Sequence, residues 1–384
     1  MSRKLRMGMI GGSTDAFIGA VHRKAAALDG QIDLVCGAFS SDPKKSKETG
    51  KALFLDPARV YGSFSEMIEK EKELPEEVRM DFVSIVTPNH VHFEPAKMAL
   101  ENGFHVIMDK PMTLNLAEAK ALKKVVDKTG MVFALTHTYT GYPLVKEAKN
   151  MIAAKKIGKV RKIYVEYPQG WLSTFLEGTG QKQASWRTDP SRSGAGGAIG
   201  DIGTHAANLA EYISGSKITE INALLNIVVK GRKLDDDASL LLKFDNGATG
   251  VLLATQVAAG EENQLNIRIY GERGGLEWRQ EEPNTLVVKW LDKPKEIVRA
   301  GWGYLSEAAQ KNSRTPSGHP EGYLEAFANI YMAFTRAVRD FKPGKKVNPA
   351  KYDFPDVEDG VRGMAFIETI IKSNQTGRWK ALKV

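Results

Sequence analysis

The chain has one cysteine in 384 residues, Cys36, so no internal disulfide framework exists and stability must come from a packed core. A lone thiol suits a reducing cytoplasm, and Cys36 stands mid-strand, where a small core residue is expected rather than a nucleophile. No apolar run approaches the roughly 20 residues that a membrane span needs. Met1-Ser2-Arg3-Lys4 leads into a strand instead of a signal peptide's apolar core. Internal repeats and low-complexity tracts are missing. The net charge of +8 invites a nucleic-acid reading. However, acids interrupt the basic residues, as in Lys44 to Lys51 and Glu66 to Arg79, and no dense basic tract is interleaved with aromatics. Solvated helix faces are expected, with at most a bias toward an anionic ligand. These absences leave a cytoplasmic globular protein with neither nucleic acid nor membrane as partner. Its length exceeds one hydrophobic core, so two domains are expected.

What is present centres on Gly8-Met9-Ile10-Gly11-Gly12-Ser13-Thr14-Asp15-Ala16-Phe17-Ile18-Gly19. An apolar run from Leu5 to Ile10 breaks on two glycines, and helix-like sequence resumes near Ala16. A buried strand turning sharply into a helix offers backbone N–H groups and a positive helix end to a phosphate. Bare backbone at Gly11 and Gly12 lets a pyrophosphate approach. Ser13 and Ala16 stand where a strict GxGxxG has glycines, so the stretch alone reads equally as an ordinary strand–turn–helix.

Short apolar strands then alternate with helical stretches: Ile32–Phe39, Phe82–Val86, His105–Met108 and Val132–Leu135 follow the first. This β-α-β rhythm specifies a parallel sheet with helices on both faces, and ligands bind such a sheet at the carboxyl ends of its strands. Those ends carry the glycine turn, Ser40-Ser41, Thr87-Pro88-Asn89, Asp109-Lys110-Pro111 and Thr136-His137. Most are also plain turn residues. Lys110 is the exception, since a lysine has no turn-forming reason to stand before a proline. Beyond Tyr139 the rhythm changes. Strands without intervening helices run through Glu220–Val229, Asp237–Phe244, Ala248–Gln256, Gln264–Tyr270, Gly275–Arg279 and Thr285–Trp290, with Asp245-Asn246-Gly247 as a hairpin turn. The expected architecture is α/β: a Rossmann-type domain over 1–138, then an α+β domain over 139–384 with a large, mostly antiparallel, open-faced sheet. Gly301 to His319 reads as the least structured stretch, and two helices close the chain.

Three readings compete for Asp201-x-x-x-His205, which follows a glycine-rich turn. Asp201 is a helix N-cap, or half of a metal pair lacking a third ligand, or the partner that orients and charge-stabilises His205 for acid–base work. No metal is expected. Lys110 is either a surface lysine or, desolvated at the ligand end, a group titrating nearer neutrality. His90 and His92 read as helix-start polar residues, although His92 stands close enough to Asn89 to count among cofactor candidates. Asp235-Asp236-Asp237 reads as a solvated strand start, with calcium binding a distant second.

Together the glycine turn, Thr87-Pro88-Asn89, Asp109-Lys110-Pro111 and Asp201-Ile202-Gly203-Thr204-His205 resemble the glucose–fructose oxidoreductase / inositol dehydrogenase / rhizopine catabolism (Gfo/Idh/MocA) family. The resemblance covers nearly the whole chain. It implies an NAD(P)-dependent oxidoreductase of a sugar or cyclitol, with the nicotinamide between the two domains and Lys110, Asp201 and His205 around the reacting carbon. It also implies a cis Lys110–Pro111 bond and a cofactor site drawn from Gly11, Gly12, Ser13, Thr14, Ala16, Phe17, Ser40, Ser41, Lys45, Thr87, Pro88, Asn89, His92, Asp109 and Lys110. Family members commonly have Glu-Lys-Pro; Asp109 keeps the charge with a shorter reach. Either His205 or Lys110 suits the role of base. At the second strand's end, Ser40, Lys44 and Lys45 favour the 2′-phosphate of NADP, with NAD through Asp42 as the alternative. Substrate candidates are Tyr142, Trp171, Trp186, Arg187, His319 and Tyr323, and both tryptophans are equally plausible as core anchors. The open sheet suggests a homodimer or homotetramer. Two rivals remain: an NAD-dependent glycosidase working by transient oxidation and elimination, and a non-catalytic dinucleotide-sensing regulator.

Overall fold

The apolar runs of the first third are bounded by turn residues and become the strands of one parallel sheet. In the computed structural model, which describes residues 3–345 and 347–384, these are β1 (Leu5–Gly11), β2 (Ile32–Ala38), β3 (Phe82–Val86), β4 (His105–Met108) and β5 (Phe133–Leu135). All pairings are parallel, in the order β2-β1-β3-β4-β5. Every residue of β3 and β4 is buried, as helices on both faces require. The order reverses between β1 and β3, which makes their carboxyl ends the crevice where ligands bind in such sheets. Three of the connecting helices begin on side-chain caps, Asp42, Ser63 and Asn115, which accept from the N–H groups of Lys44, Glu66 and Glu118.

The chain forms two compact units, residues up to Thr136 with Phe327–Val361, and His137–Ala326 with Arg362–Val384. The uninterrupted domain expected over 139–384 leaves out this late return to the first unit. The sheet explains it. Both faces of a parallel sheet need cover, and the Tyr323–Asp340 helix brings Phe334 edge-on to Phe82 of β3 at 5.1 Å and the Tyr331 hydroxyl to 2.9 Å from Ser84 Oγ.

The second unit is built on nine strands: β6 (Val160–Pro168), β7 (Ile218–Asn226), β8 (Asp237–Phe244), β9 (Thr249–Thr255), β10 (Asn266–Gly271), β11 (Gly274–Arg279), β12 (Thr285–Trp290), β13 (Glu296–Arg299) and β14 (Lys380–Ala381). Their order is β13-β12-β11-β10-β6-β9-β8-β7-β14, and only the β6–β9 pair is parallel. Val228 and Val229, expected in a strand, leave β7 because their N–H groups donate to the Asp236 carboxylate at 2.7 and 2.9 Å. Gly247 (φ 85°) closes the β8–β9 hairpin by donating to Phe244 O at 3.0 Å. Alternation along the strands gives the sheet two faces. Ile163, Val165, Leu240, Leu242, Leu252 and Ile267 enter the core with Leu144, Val145, Ala206 and Leu209 from the Pro143–Ala153 and Thr204–Ser214 helices. Leu224, Leu241, Leu253 and Ile297 are exposed.

The stretch expected to be least structured is tied down by buried acids. Glu147 accepts from Ser306 N at 2.7 Å, and Glu321 accepts from the N–H groups of Arg314 and Thr315. No helix among the described residues is long and apolar enough to cross a membrane.

Candidate active site

The turn after β1 is shaped by positions that tolerate no side chain. Gly11 and Gly12 have φ of +82° and +74°, and a Cβ on Gly11 would lie 2.9 Å from Thr87 Cγ2. A Cβ on Gly19 would lie 2.3 Å from Gly12 Cα. Gly19 therefore provides the close helix–strand packing that the third glycine of the dinucleotide fingerprint provides elsewhere. Ala16 occupies the N-cap of the Phe17–Ala27 helix in an extended conformation with no side-chain cap, and the first turn carries no acid. The helices capped by Asp42, Ser63 and Asn115 have a first amide already taken; this one leaves its amides to an anion. The backbone fits a pyrophosphate. Around it Thr14 and Phe17 are exposed, while Ser13 is buried and its Oγ donates to Asp15 at 3.0 Å. Asp15 is ion-paired with Lys45, which neutralises the one acid beside the turn. Ser40 Oγ accepts from Asp42 N at 3.1 Å, Ser41 is exposed, and the Asp42 carboxylate is turned into its own helix start at Lys44 N.

At the ends of β3 and β4 the expected residues divide. Thr87 Oγ1 donates to Val91 O at 3.2 Å, Pro88 begins a short 3₁₀ turn, and Asn89 is buried. His92 is fully buried, with its ring nitrogens each 2.8 Å from a carbonyl oxygen, Pro111 O and Thr87 O. It fastens one strand end to the other from behind, and as a residue touching the cofactor it is corrected: no part of its ring faces outward. Burial lowers its pKa, against Asp109 and the two carbonyls, which raise it. The Lys110–Pro111 peptide is cis. Asp109 Oδ1 accepts from Lys110 N at 2.9 Å and from Thr136 Oγ1 at 3.0 Å, so the shortened acid secures this turn.

In the second unit a π-helical turn, Ile199–Gly203, carries Asp201 and runs into the Thr204–Ser214 helix, where His205 is the second residue. Such turns recur at functional sites. Asp201 caps neither segment, since the flanking residues are Ala198 and Gly203. Its Oδ2 accepts from Arg187 Nε at 3.2 Å and from Gln256 Nε2 at 2.9 Å. The Arg187 guanidinium lies over the rings of Trp186 at 4.3 Å and Trp171 at 5.9 Å. Trp171, Trp186, Arg187 and Asp201 thus form one half-buried cluster, with Arg187 bound to the acid. His205 meets Tyr139 edge-on at 4.8 Å, and its Nδ1 lies 3.4 Å from that of His137.

Tyr142, expected to face a substrate, is 2% exposed and packs on Trp278 at 5.2 Å; it is a core residue. His319 is exposed on its loop, and Tyr323 is half-buried at the start of its helix. A hydrogen-bonded row of neutral groups went unnoticed in the sequence. Tyr139 bonds Tyr167, Tyr167 OH and Gln169 Nε2 both donate to Asn263 Oδ1 at 2.7 Å, and Trp171 Nε1 donates to Gln169 Oε1 at 3.1 Å. Burial pushes both phenols up, so they stay protonated. Gln169 and Gln256 become neighbours because β6 and β9 run parallel and end side by side, with Gln169 N donating to Thr255 O at 2.8 Å. Strand direction of that kind leaves no mark on local sequence. Among the described residues no group of three or more His, Cys, Asp or Glu is placed to hold a metal.

Two family descriptions match the chain: "Oxidoreductase family, NAD-binding Rossmann fold" over residues 5–137, and "GFO/IDH/MocA C-terminal domain" over residues 145–277. An oxidoreductase from Sinorhizobium meliloti is 45% identical, with a TM-score of 0.87 over 99% of this chain and 100% of that one. An inositol dehydrogenase homolog from Azotobacter vinelandii complexed with NAD+ is 33% identical, with a TM-score of 0.92 over 99% and 98% of the two chains. One from the same organism, complexed with NADH and myo-inositol, is 32% identical with a TM-score of 0.90 and the same coverage. Levoglucosan dehydrogenase of Pseudarthrobacter phenanthrenivorans is 28% identical over 74% of this chain and 76% of its own.

Proposed function

Because the chain belongs to the GFO/IDH/MocA oxidoreductase family, with its NAD-binding Rossmann fold, we propose that it is an enzyme transferring a hydride between nicotinamide and a secondary hydroxyl or ketone of a sugar, sugar derivative or cyclitol. The observation that carries this reading is Asp201. It is a carboxylate on a π-helical turn, held by Arg187 and Gln256, four residues before His205, and the acid–base reading rests on that spacing. The nicotinamide, when bound, supplies the hydride acceptor or donor. His205 removes the hydroxyl proton, Asp201 orients it and stabilises its charge, and Lys110 stabilises the negative charge developing on the same oxygen. Trp171 and Trp186 offer apolar faces to the ring. The relatives named for inositol and levoglucosan support the substrate class.

NAD is the proposed cofactor. The Azotobacter vinelandii structures hold NAD+ and NADH, and Lys45, one of the two lysines that would greet a 2′-phosphate, is paired with Asp15. We place the enzyme in the cytoplasm, where buried Cys36 stays reduced. Assembly as a homodimer or homotetramer through the outer face of the nine-stranded sheet would cover Leu224, Leu241 and Leu253. A panel of sugars and cyclitols, followed at 340 nm with NAD and with NADP, tests the function. Turnover of a neutral polyol supports it. Tight NADH binding without turnover of any member would favour the sensor, and glycoside cleavage without net cofactor change the glycosidase.

A further inference from the structure

Two of the three acids at the start of β8 are buried, where the sequence suggested a solvated strand start. Asp235 is 8% exposed and Asp236 1%. Asp235 takes three consecutive amides of the segment leading into the π-helical turn. Gly197 N donates to Oδ1 at 2.7 Å, Ile199 N to Oδ2 at 2.8 Å, and Ala198 N to the main-chain carbonyl at 2.8 Å. Residue 197 must be glycine for this approach, since a Cβ there would lie 2.0 Å from Asp235 O. The next residue holds the other side of the same site. Asp236 O accepts from Gln256 N at 2.8 Å, and the Gln256 amide is the group that donates to Asp201. The Asp236 carboxylate is itself secured by Val228 N, Val229 N and Arg232.

We propose that Asp235 is a positioning residue for the chemistry, its buried carboxylate fixing the π-helical turn and through it the direction of Asp201 and His205. This rests on the reading of Asp201 and His205 as the acid–base pair. An unpaired carboxylate is costly to bury, and one that serves only to start a strand has no reason to be buried at all. Two amides directed at two different oxygens define a plane as well as a point, which a single cap does not. The charged groups around Asp235 are Asp236, which raises its pKa, and Arg232 held on Asp236. Burial dominates and pushes the carboxyl up to about 6.

Asp235→Asn keeps the shape and turns one acceptor into a donor facing an amide. It should lower kcat about 10- to 100-fold, with KM and NADH affinity changed by no more than about twofold. Asp237→Asn is the matched control; Asp237 accepts from Asn226 at 2.9 Å, away from the turn, and that variant should keep wild-type kcat. Amide exchange gives a second measurement. Protection of Gly197 and Ile199 should drop about tenfold in Asp235→Asn, relative to the hairpin amides of β8 and β9. Wild-type kcat in Asp235→Asn, or equal losses of kcat, NADH affinity and melting temperature, overturns the proposal, as does unchanged protection of Gly197 and Ile199 in that variant. His205→Asn assayed alongside separates the two readings. If it stays active, the acid–base assignment fails, whereas an inactive His205→Asn beside a fully active Asp235→Asn sinks only the positioning role.

Discussion

Gly11 is the residue whose replacement speaks most directly to the cofactor. Its φ of +82° and the 2.9 Å between a would-be Cβ and Thr87 Cγ2 leave no room for a branched side chain. Gly11→Val should weaken NADH binding by more than about tenfold in a fluorescence titration; unchanged affinity would place the nucleotide elsewhere. The proposed chemistry makes a different demand. Lys110→Met and His205→Asn should each reduce kcat by roughly 10²–10⁴-fold with NADH affinity retained. If the two serve one proton transfer, the double variant will be far less impaired than the product of the singles. Multiplicative losses would show independent roles. Ser40 is the residue proposed to set the preference at the ribose, where Asp42 is occupied as a helix cap. NAD should give the higher kcat/KM in the wild type, and Ser40→Asp should widen the gap; a wild-type preference for NADP would reassign Ser40 and Lys44 to its phosphate.

At the scale of elements, the first unit carries buried histidines, His22 on the Phe17–Ala27 helix and His105 on β4, whose neutrality ties stability to pH. Burial holds His22 and His105 down to about 4. His22 Nδ1 lies 2.7 Å from Tyr331 OH, and His105 Nδ1 accepts from Val132 N at 2.9 Å, so both are built into the fold as neutral rings. An unfolded chain takes up these protons below about 6.5, the folded one only near 4, so each contribution is lost as pH falls through that interval, at roughly 3 kcal/mol apiece. Asp235 acts in the opposite sense. Its folded pKa of about 6 exceeds the unfolded 3.8, so the folded state gains a proton first and is favoured on acidification. Two histidines outweigh one carboxyl, and urea titrations should show a net loss on the order of 3 kcal/mol between pH 7 and pH 4. Stability flat across that range would mean the two rings are hydrated.

For the whole molecule, the outer face of the nine-stranded sheet is the feature most at odds with an isolated chain. Leu224, Leu241 and Leu253 stand on three adjacent strands, exposed by 56%, 50% and 38%. A monomer has no reason to keep such a patch. Light scattering should report a dimer or tetramer, and Leu241→Lys with Leu253→Lys should lower its order without loss of folded signal in circular dichroism. A monomeric wild type would end that proposal.

Local pattern sufficed for much of this protein. The β-α-β rhythm, the glycine turn, the Asp-Asn-Gly hairpin, and strands β8 and β12 follow from periodicity and turn chemistry, which act over a few residues. The motifs proposed to carry the chemistry, Lys110-Pro111 and Asp201-x-x-x-His205, stand out in the sequence for the same reason: each lies within one turn of chain. Tertiary structure alone decided what depends on residues distant in sequence. It turned Asp235 and Asp236 from solvated acids into buried supports, Asp235 for the amides of Gly197 and Ile199 nearly forty positions away and Asp236 for those of Val228 and Val229. It took His92 and Tyr142 out of reach of ligands by burying them. It brought Gln169 and Gln256 together through one parallel strand pair, and returned Phe327–Val361 to cover the first sheet. A side chain's chemistry is local, but its burial, its partners and its direction are set by whatever part of the chain packs against it.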